Sequence, residues 1–217
     1  MRDKMYIFVD YDGTLVKNSE EKFMKTYFSI LSRKVKLPIE KIFNLVMDSI
    51  YEITKIEDPS KNLFERFLES ISKKTGKSKD YWYNIFLDFY KNEFDELRKI
   101  IKVNKKLTNF IKNSNYKFIF ASNPLFPEIA VKKRIDFANL SPENFFYIAT
   151  MENSHYAKPN PKFFAEILKK ISVAADKCLM IGDTENDKAS EKVGIKFINV
   201  NNFKPELIKI YFEKYFS

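Results

Sequence analysis

Four aspartates stand where they could act together. Asp10 and Asp12 are two residues apart in Asp10-Tyr-Asp12-Gly-Thr14-Leu, and Asp183 and Asp187 are four apart in Gly182-Asp183-Thr-Glu-Asn-Asp187. Between these pairs lie Ser122-Asn123-Pro and Lys158-Pro-Asn-Pro. A carboxylate can attack an electrophile and hold the transferred group covalently, and a second can serve first as acid and then as base. Each residue also has an ordinary explanation. Asp-Gly is a common turn pair, Ser122 could be a turn residue, and Lys158 is one of 38 basic residues. Asp187 could simply favour the amino end of a helix.

The elements that must position these residues narrow the choice. Met5 to Val9 is a short apolar run of the kind that makes a strand buried on both faces, and it ends abruptly on Asp10. Further strands are expected over 117–122, 145–150, 178–182 and 196–200, separated by helices over 105–113, 127–139, 161–171 and from Asp183 to Val193. A last helix is expected over 205–216. Strand alternating with helix predicts a parallel sheet, in which all carboxyl ends lie on one side and ligands bind there. Asp10 and Asp12, Ser122, Lys158, and Asp183 with Asp187 then collect at one edge. Carboxylates packed so closely repel unless a cation intervenes. Magnesium suits them, because it takes oxygen ligands and favours carboxylates together with a phosphate. Lys158 and Ser122 would hold the remaining phosphate oxygens.

The stretch 17–102 reads differently. Four apolar stripes at helical spacing follow one another: Phe23 to Leu31, Ile39 to Ile53, Leu63 to Ile71, and a longer one from Trp82 to Ile100. They predict a small helical bundle inserted after the first strand. The net charge of +9 is spread along the chain. Diffuse charge would attract anionic substrates, but its simplest explanation is a lysine-rich solvated surface, and a nucleic-acid partner calls for a clustered patch. Cys178 is the single cysteine, so no internal disulfide can form, and a reducing cytoplasmic setting is the simplest expectation. No signal peptide or membrane-spanning run is expected. The chain holds only four glycines, and two of them, Gly13 and Gly182, sit beside the acidic strand ends.

In their order and strand-end placement the four motifs resemble those of the haloacid dehalogenase (HAD) superfamily. The resemblance covers the whole chain and implies a Rossmann-like α/β core over 1–16 and 103–217, with an all-helical cap over 17–102. It implies that Asp10 is the nucleophile and a magnesium ligand. Asp12 would be the general acid/base, its backbone carbonyl also reaching the metal. Ser122, Asn123 and Lys158 would bind the phosphoryl group, with Thr14 supporting the loop and counted in the same group. Asp183 would ligate magnesium, and Asp187 would ligate it too or orient Lys158. The expected activity is magnesium-dependent hydrolysis of a small phosphomonoester metabolite through an aspartyl-phosphate. A phosphomutase acting on a sugar phosphate, a phosphatase acting on nucleic acid or protein, and a binding protein are the alternatives. Asp12 and the other acids argue against a dehalogenase. Tyr11 should point away from the pocket, His155 has no expected role, and Cys178 should be packed. Substrate identity, the cap residues that select it, and the choice between monomer and dimer stay open.

Overall fold

A computed structural model describes residues 5–208. Five parallel strands form one sheet in the order β3-β2-β1-β4-β5, with β1 spanning Tyr6–Val9, β2 Lys117–Phe120, β3 Phe145–Ile148, β4 Cys178–Gly182 and β5 Lys196–Asn199. Side chains alternate faces along each strand. Ile7, Val9, Phe118, Phe120, Leu179 and Ile181 therefore enter one buried cluster, while Phe8, Ile119, Cys178 and Met180 enter another on the opposite face. Helices α5 (Lys105–Asn113) and α6 (Glu128–Phe137) cover the first face through Leu107, Ile111, Val131 and Ile135. Helix α7 (Pro161–Ile171) covers the second through Phe163, Phe164 and Ile167. Burial on both faces is why these strands read as apolar runs.

Register positions the site. Val9 pairs with Phe120 on one side and Ile181 on the other, so the three central strands end level. The ladder runs one step further, with Asp10 N donating to Ile181 O at 3.0 Å and Ala121 N to Val9 O at 2.9 Å. The residues that follow emerge side by side.

Between β1 and α5 lie the helices α1 (Glu20–Val35), α2 (Ile39–Lys55), α3 (Leu63–Thr75) and α4 (Lys79–Asn92). Ser19, Asn62 and Ser78 cap the first, third and fourth with side-chain oxygens, and Asn62 forms a capping box with Glu65. The long fourth stripe does not form one helix. The chain leaves α4 at Asn92 and tightens into a 3-10 turn over Phe94–Ile100. Phe94, Leu97 and Ile100 recur every three residues, the repeat of that tighter helix, and Phe94 stacks on Phe137 of the core. The last predicted helix begins as a turn at Pro205–Leu207; most of it lies outside the described residues. The helix expected after Asp183 is likewise short, α8 (Glu185–Lys188), before a 3-10 turn over Ala189–Val193.

The two chain crossings into the helical insert run side by side. Val16 bridges Val103, Lys17 N donates to Lys102 O at 2.7 Å, and Asn18 Oδ1 accepts from Lys102 N at 2.8 Å. Helix α3 is also fastened to the core, with Leu63 N donating to Ser154 O at 2.9 Å and Arg66 to the His155 carbonyl at 3.0 Å. His155 in turn meets Glu166 through Nδ1 at 2.5 Å. So the histidine with no expected role helps anchor the loop that receives the insert.

Candidate active site

The loop after β1 is bent by Gly13, whose φ of 73° is left-handed. A Cβ on Gly13 would lie 2.0 Å from Asp183 Oδ2, so glycine is what lets the two acidic loops touch. Thr14 is fully buried and its hydroxyl donates to Asp183 Oδ1 at 3.4 Å. Asn104, the cap of α5, donates its side-chain amide to Thr14 O at 3.0 Å and its backbone N–H to Leu15 O at 2.9 Å. The loop is thus tied down from both sides.

Lys158 reaches the acids from the loop after β3. Its Nζ lies 2.8 Å from Asp10 Oδ1 and 2.5 Å from Asp187 Oδ1, and all three side chains are buried. Asn123 holds that loop, accepting from Lys158 N at 3.1 Å and donating to Lys158 O at 3.5 Å. Ser122 is buried and lines the cavity that opens above these residues. Asp187 is the most heavily bonded of the acids. Besides Lys158 it accepts from Asp183 N, Thr184 N and the Thr184 hydroxyl at 3.0–3.1 Å. Gly182 leaves room for it, since a Cβ there would sit 2.4 Å from its carboxyl carbon.

Burial, opposed by Lys158 and reinforced by Asp187, pushes the Asp10 carboxyl up to about 7. Burial and then Asp187 likewise raise Asp183. Burial works against the charge on Lys158, but Asp10 and Asp187 outweigh it and hold the ammonium above the ordinary lysine value.

The Asp12 side chain turns away from this group and pairs with Arg134 of α6. Arg134 is fully buried, its guanidinium carbon 4.1 Å from the Tyr11 ring centre and 4.6 Å from that of Phe126. Tyr11 lies outside the cavity wall, as strand alternation predicts, yet it bears on the site through Arg134. Sequence reasoning missed this arginine because Lys132-Lys133-Arg134 reads as a solvated basic run.

Asp10, Asp183 and Asp187 offer oxygens that all lie within 4.8 Å of one another. Three carboxylates face one lysine, so the group as built carries excess negative charge. Oxygen-only donors with an unmet negative charge fit magnesium, a hard cation that keeps open positions for phosphate and water. Above the acids opens a cavity of about 410 Å³, whose floor includes Asp10, Asp12, Ser122, Asn123, Lys158 and Asp183.

The chain shares this architecture with solved structures. A HAD family enzyme from Bacteroides thetaiotaomicron, in complex with magnesium and inorganic phosphate, superposes with a TM-score of 0.54 at 17% identity, over 90% of this chain and 93% of that one. A HAD-like family hydrolase from Porphyromonas gingivalis gives 0.55 at 16% identity over 97% of each chain. L-2-haloacid dehalogenase from Xanthobacter autotrophicus, with chloropropionic acid covalently bound, gives 0.56 at 11% identity over 94% of this chain and 80% of that one. At these identities the likeness is one of fold. No curated protein matches the sequence. A family model for haloacid dehalogenase-like hydrolases matches residues 5–190, and the chain belongs to that family of enzymes.

Proposed function

We propose that this hydrolase is a magnesium-dependent phosphatase acting on phosphomonoesters. One observation carries the reading: Asp10, Asp183 and Asp187 bring their oxygens together at the end of the central strand, and Lys158 pairs with Asp10 and Asp187. Asp10 is the nucleophile. Its carboxylate oxygen bonds to phosphorus as the bond from phosphorus to the leaving oxygen breaks, and the Asp12 carboxyl gives that oxygen a proton. Water then attacks the phosphorus of the aspartyl-phosphate, Asp12 takes its proton back, and Asp10 is released with inorganic phosphate. The Asp12 side chain is 59% exposed and lines the cavity, so on leaving Arg134 it can reach a leaving oxygen or a water. Lys158, Ser122 and Asn123 hold the phosphoryl oxygens, and Asp187 keeps Lys158 aimed. Magnesium, held by Asp10, the Asp12 backbone carbonyl, Asp183 and Asp187, would neutralise the charge of the phosphoryl group. The helical insert serves as the cap over the site.

The test is phosphate release from p-nitrophenyl phosphate with magnesium or with EDTA, beside Asp10→Asn. The expected result is magnesium-dependent turnover that falls by ~10³-fold or more in the variant. Turnover by Asp10→Asn at the rate of the natural chain would overturn the assignment. One second reading has support, from the structural likeness to a dehalogenase and from the cavity beside the nucleophile: attack of Asp10 on a halogen-bearing carbon. Chloride release from 2-chloropropionate, measured alongside phosphate, decides between them.

A further inference from the structure

The cavity above Asp10 does not stop at the interface between core and insert. It runs up between all four insert helices, and its walls include Phe28 of α1, Met47 and Ile50 of α2, Phe67 of α3 and Phe86 of α4. At about 410 Å³ it lies in the range that encloses whole small-molecule ligands. Insert cores are ordinarily close-packed, and the part of this cavity that lies among the apolar side chains of the insert forfeits contacts along its lining.

The polar inventory of the walls is short. Among the insert residues that line the cavity, only Asn18, Glu20, Tyr27 and Tyr90 carry polar side-chain groups, and Asn18 belongs to the chain crossing, its Oδ1 accepting from Lys102 N. Glu20 is the first residue of α1, next to the chain crossing. The Tyr27 and Tyr90 hydroxyls are buried and hydrogen-bonded to each other at 2.8 Å. A sugar or nucleoside placed here would lose water from several hydroxyls and find few partners, which is costly. An alkyl or aryl group would lose nothing of the kind. Met24 and Met47 add side chains that adapt to variable shapes. The charged residues, by contrast, gather on the floor around Asp10 and Lys158.

We infer that the substrate is a phosphomonoester of an extended apolar alcohol, its phosphate on the acidic floor and its hydrocarbon threaded into the helical insert. The inference rests on the phosphatase reading for its phosphate end, and on the cavity alone for its apolar end.

Two measurements on the natural chain with magnesium test it. The first is kcat/KM for ethyl, butyl, hexyl, octyl and decyl phosphate, with glucose 6-phosphate for comparison. The second is the affinity of the matching alkylphosphonates by calorimetry; their carbon–phosphorus bond is not cleaved, so binding is read without turnover. Each methylene that enters the cavity should raise kcat/KM and affinity about fourfold until the chain fills it, and glucose 6-phosphate should trail the longer esters. In Ile50→Trp, which shortens the cavity, the ratio of decyl to butyl should fall about tenfold or more in both measurements. Rising affinity with no phosphate released from any ester would keep the apolar site and remove the phosphatase reading. Phosphate release and affinity both indifferent to chain length would overturn the inference and leave the phosphatase reading standing. A chain-length preference that Ile50→Trp does not alter would also overturn it, because the hydrocarbon would then lie elsewhere.

Discussion

Asp10, Asp187 and Lys158 form a compact buried group whose geometry depends on residues with no side chain at all. Gly182 illustrates this. Its backbone runs so close to Asp187 that a methyl group would overlap the carboxyl carbon. Gly182→Ala should therefore push Asp187 off Lys158 and off the Asp183 and Thr184 amides. The expected outcome is a loss of about 2 kcal/mol or more in urea unfolding, with kcat falling more than KM rises. Unchanged stability and unchanged kcat would mean that the strand end relaxes freely. Arg134 shows the converse dependence, a large cation held by two rings and an exposed carboxylate. Its long planar head contributes packing as well as charge. It restrains Asp12 at rest from a helix whose sequence looks merely basic.

At the scale of elements, the site is assembled by strand ends that terminate level and by helix caps that reach back to them. The caps of α5 and α7 are asparagines, and Asn104 does more than cap. Besides accepting from Leu107 N at 3.4 Å it holds the carbonyl of Thr14 and pairs with Leu15. Asn104→Ala removes the cap and the side-chain tether while keeping the backbone bond. A destabilisation of about 1–2 kcal/mol is expected by urea titration. The proposed phosphatase activity should fall alongside it, because the tether restrains the loop that carries Asp10 and Asp12. Serine at the same position restores the cap but not the reach to Thr14, so Asn104→Ser should recover stability more than activity. The periodicities legible in the sequence located most of these elements. They failed at Trp82 to Ile100, where an i, i+3 repeat is shared by two helix types and only the seat of Phe94 against Phe137 distinguishes them.

For the molecule as a whole, the acid cluster links stability to metal and to pH. Asp10 is raised from an ordinary 3.8 to about 7 and Asp183 is raised with it. Between those values the folded chain holds a proton that the unfolded chain releases. The stability contribution of Asp10 is therefore complete below about pH 4 and is lost as pH rises towards 7. A divalent cation competes for the same carboxylate and gains as the proton leaves. Magnesium should thus raise the melting temperature more at pH 8 than at pH 5, by a few degrees at saturation. A scan at both pH values, with magnesium and with EDTA, checks this. An equal or larger increment at pH 5 would mean that the cation binds away from Asp10. The described residues hold no helix long and apolar enough to cross a membrane.

What the sequence determined by itself was the local chemistry and its order. Apolar runs ending on Asp10 and Asp183 specify strands that deliver carboxylates, since burial on both faces requires such runs and polar residues must sit at their ends. The glycines beside Asp12 and Asp183 were legible as well, though their purpose was not. The tertiary structure alone decided what meets what across the fold. That Gly13 faces Asp183, that Arg134 rather than a lysine beside it is buried against Asp12, and that Asn104 returns to Thr14 are contacts between residues 90 to 170 positions apart. No short-range pattern encodes such distances. The cavity is the plainest case. A stripe such as Phe23, Tyr27 and Phe28 marks one face of a helix, and that face can pack against other helices or line a space left between them. The same residues satisfy both, because burial rewards apolar area removed from water whether a side chain or a ligand covers it.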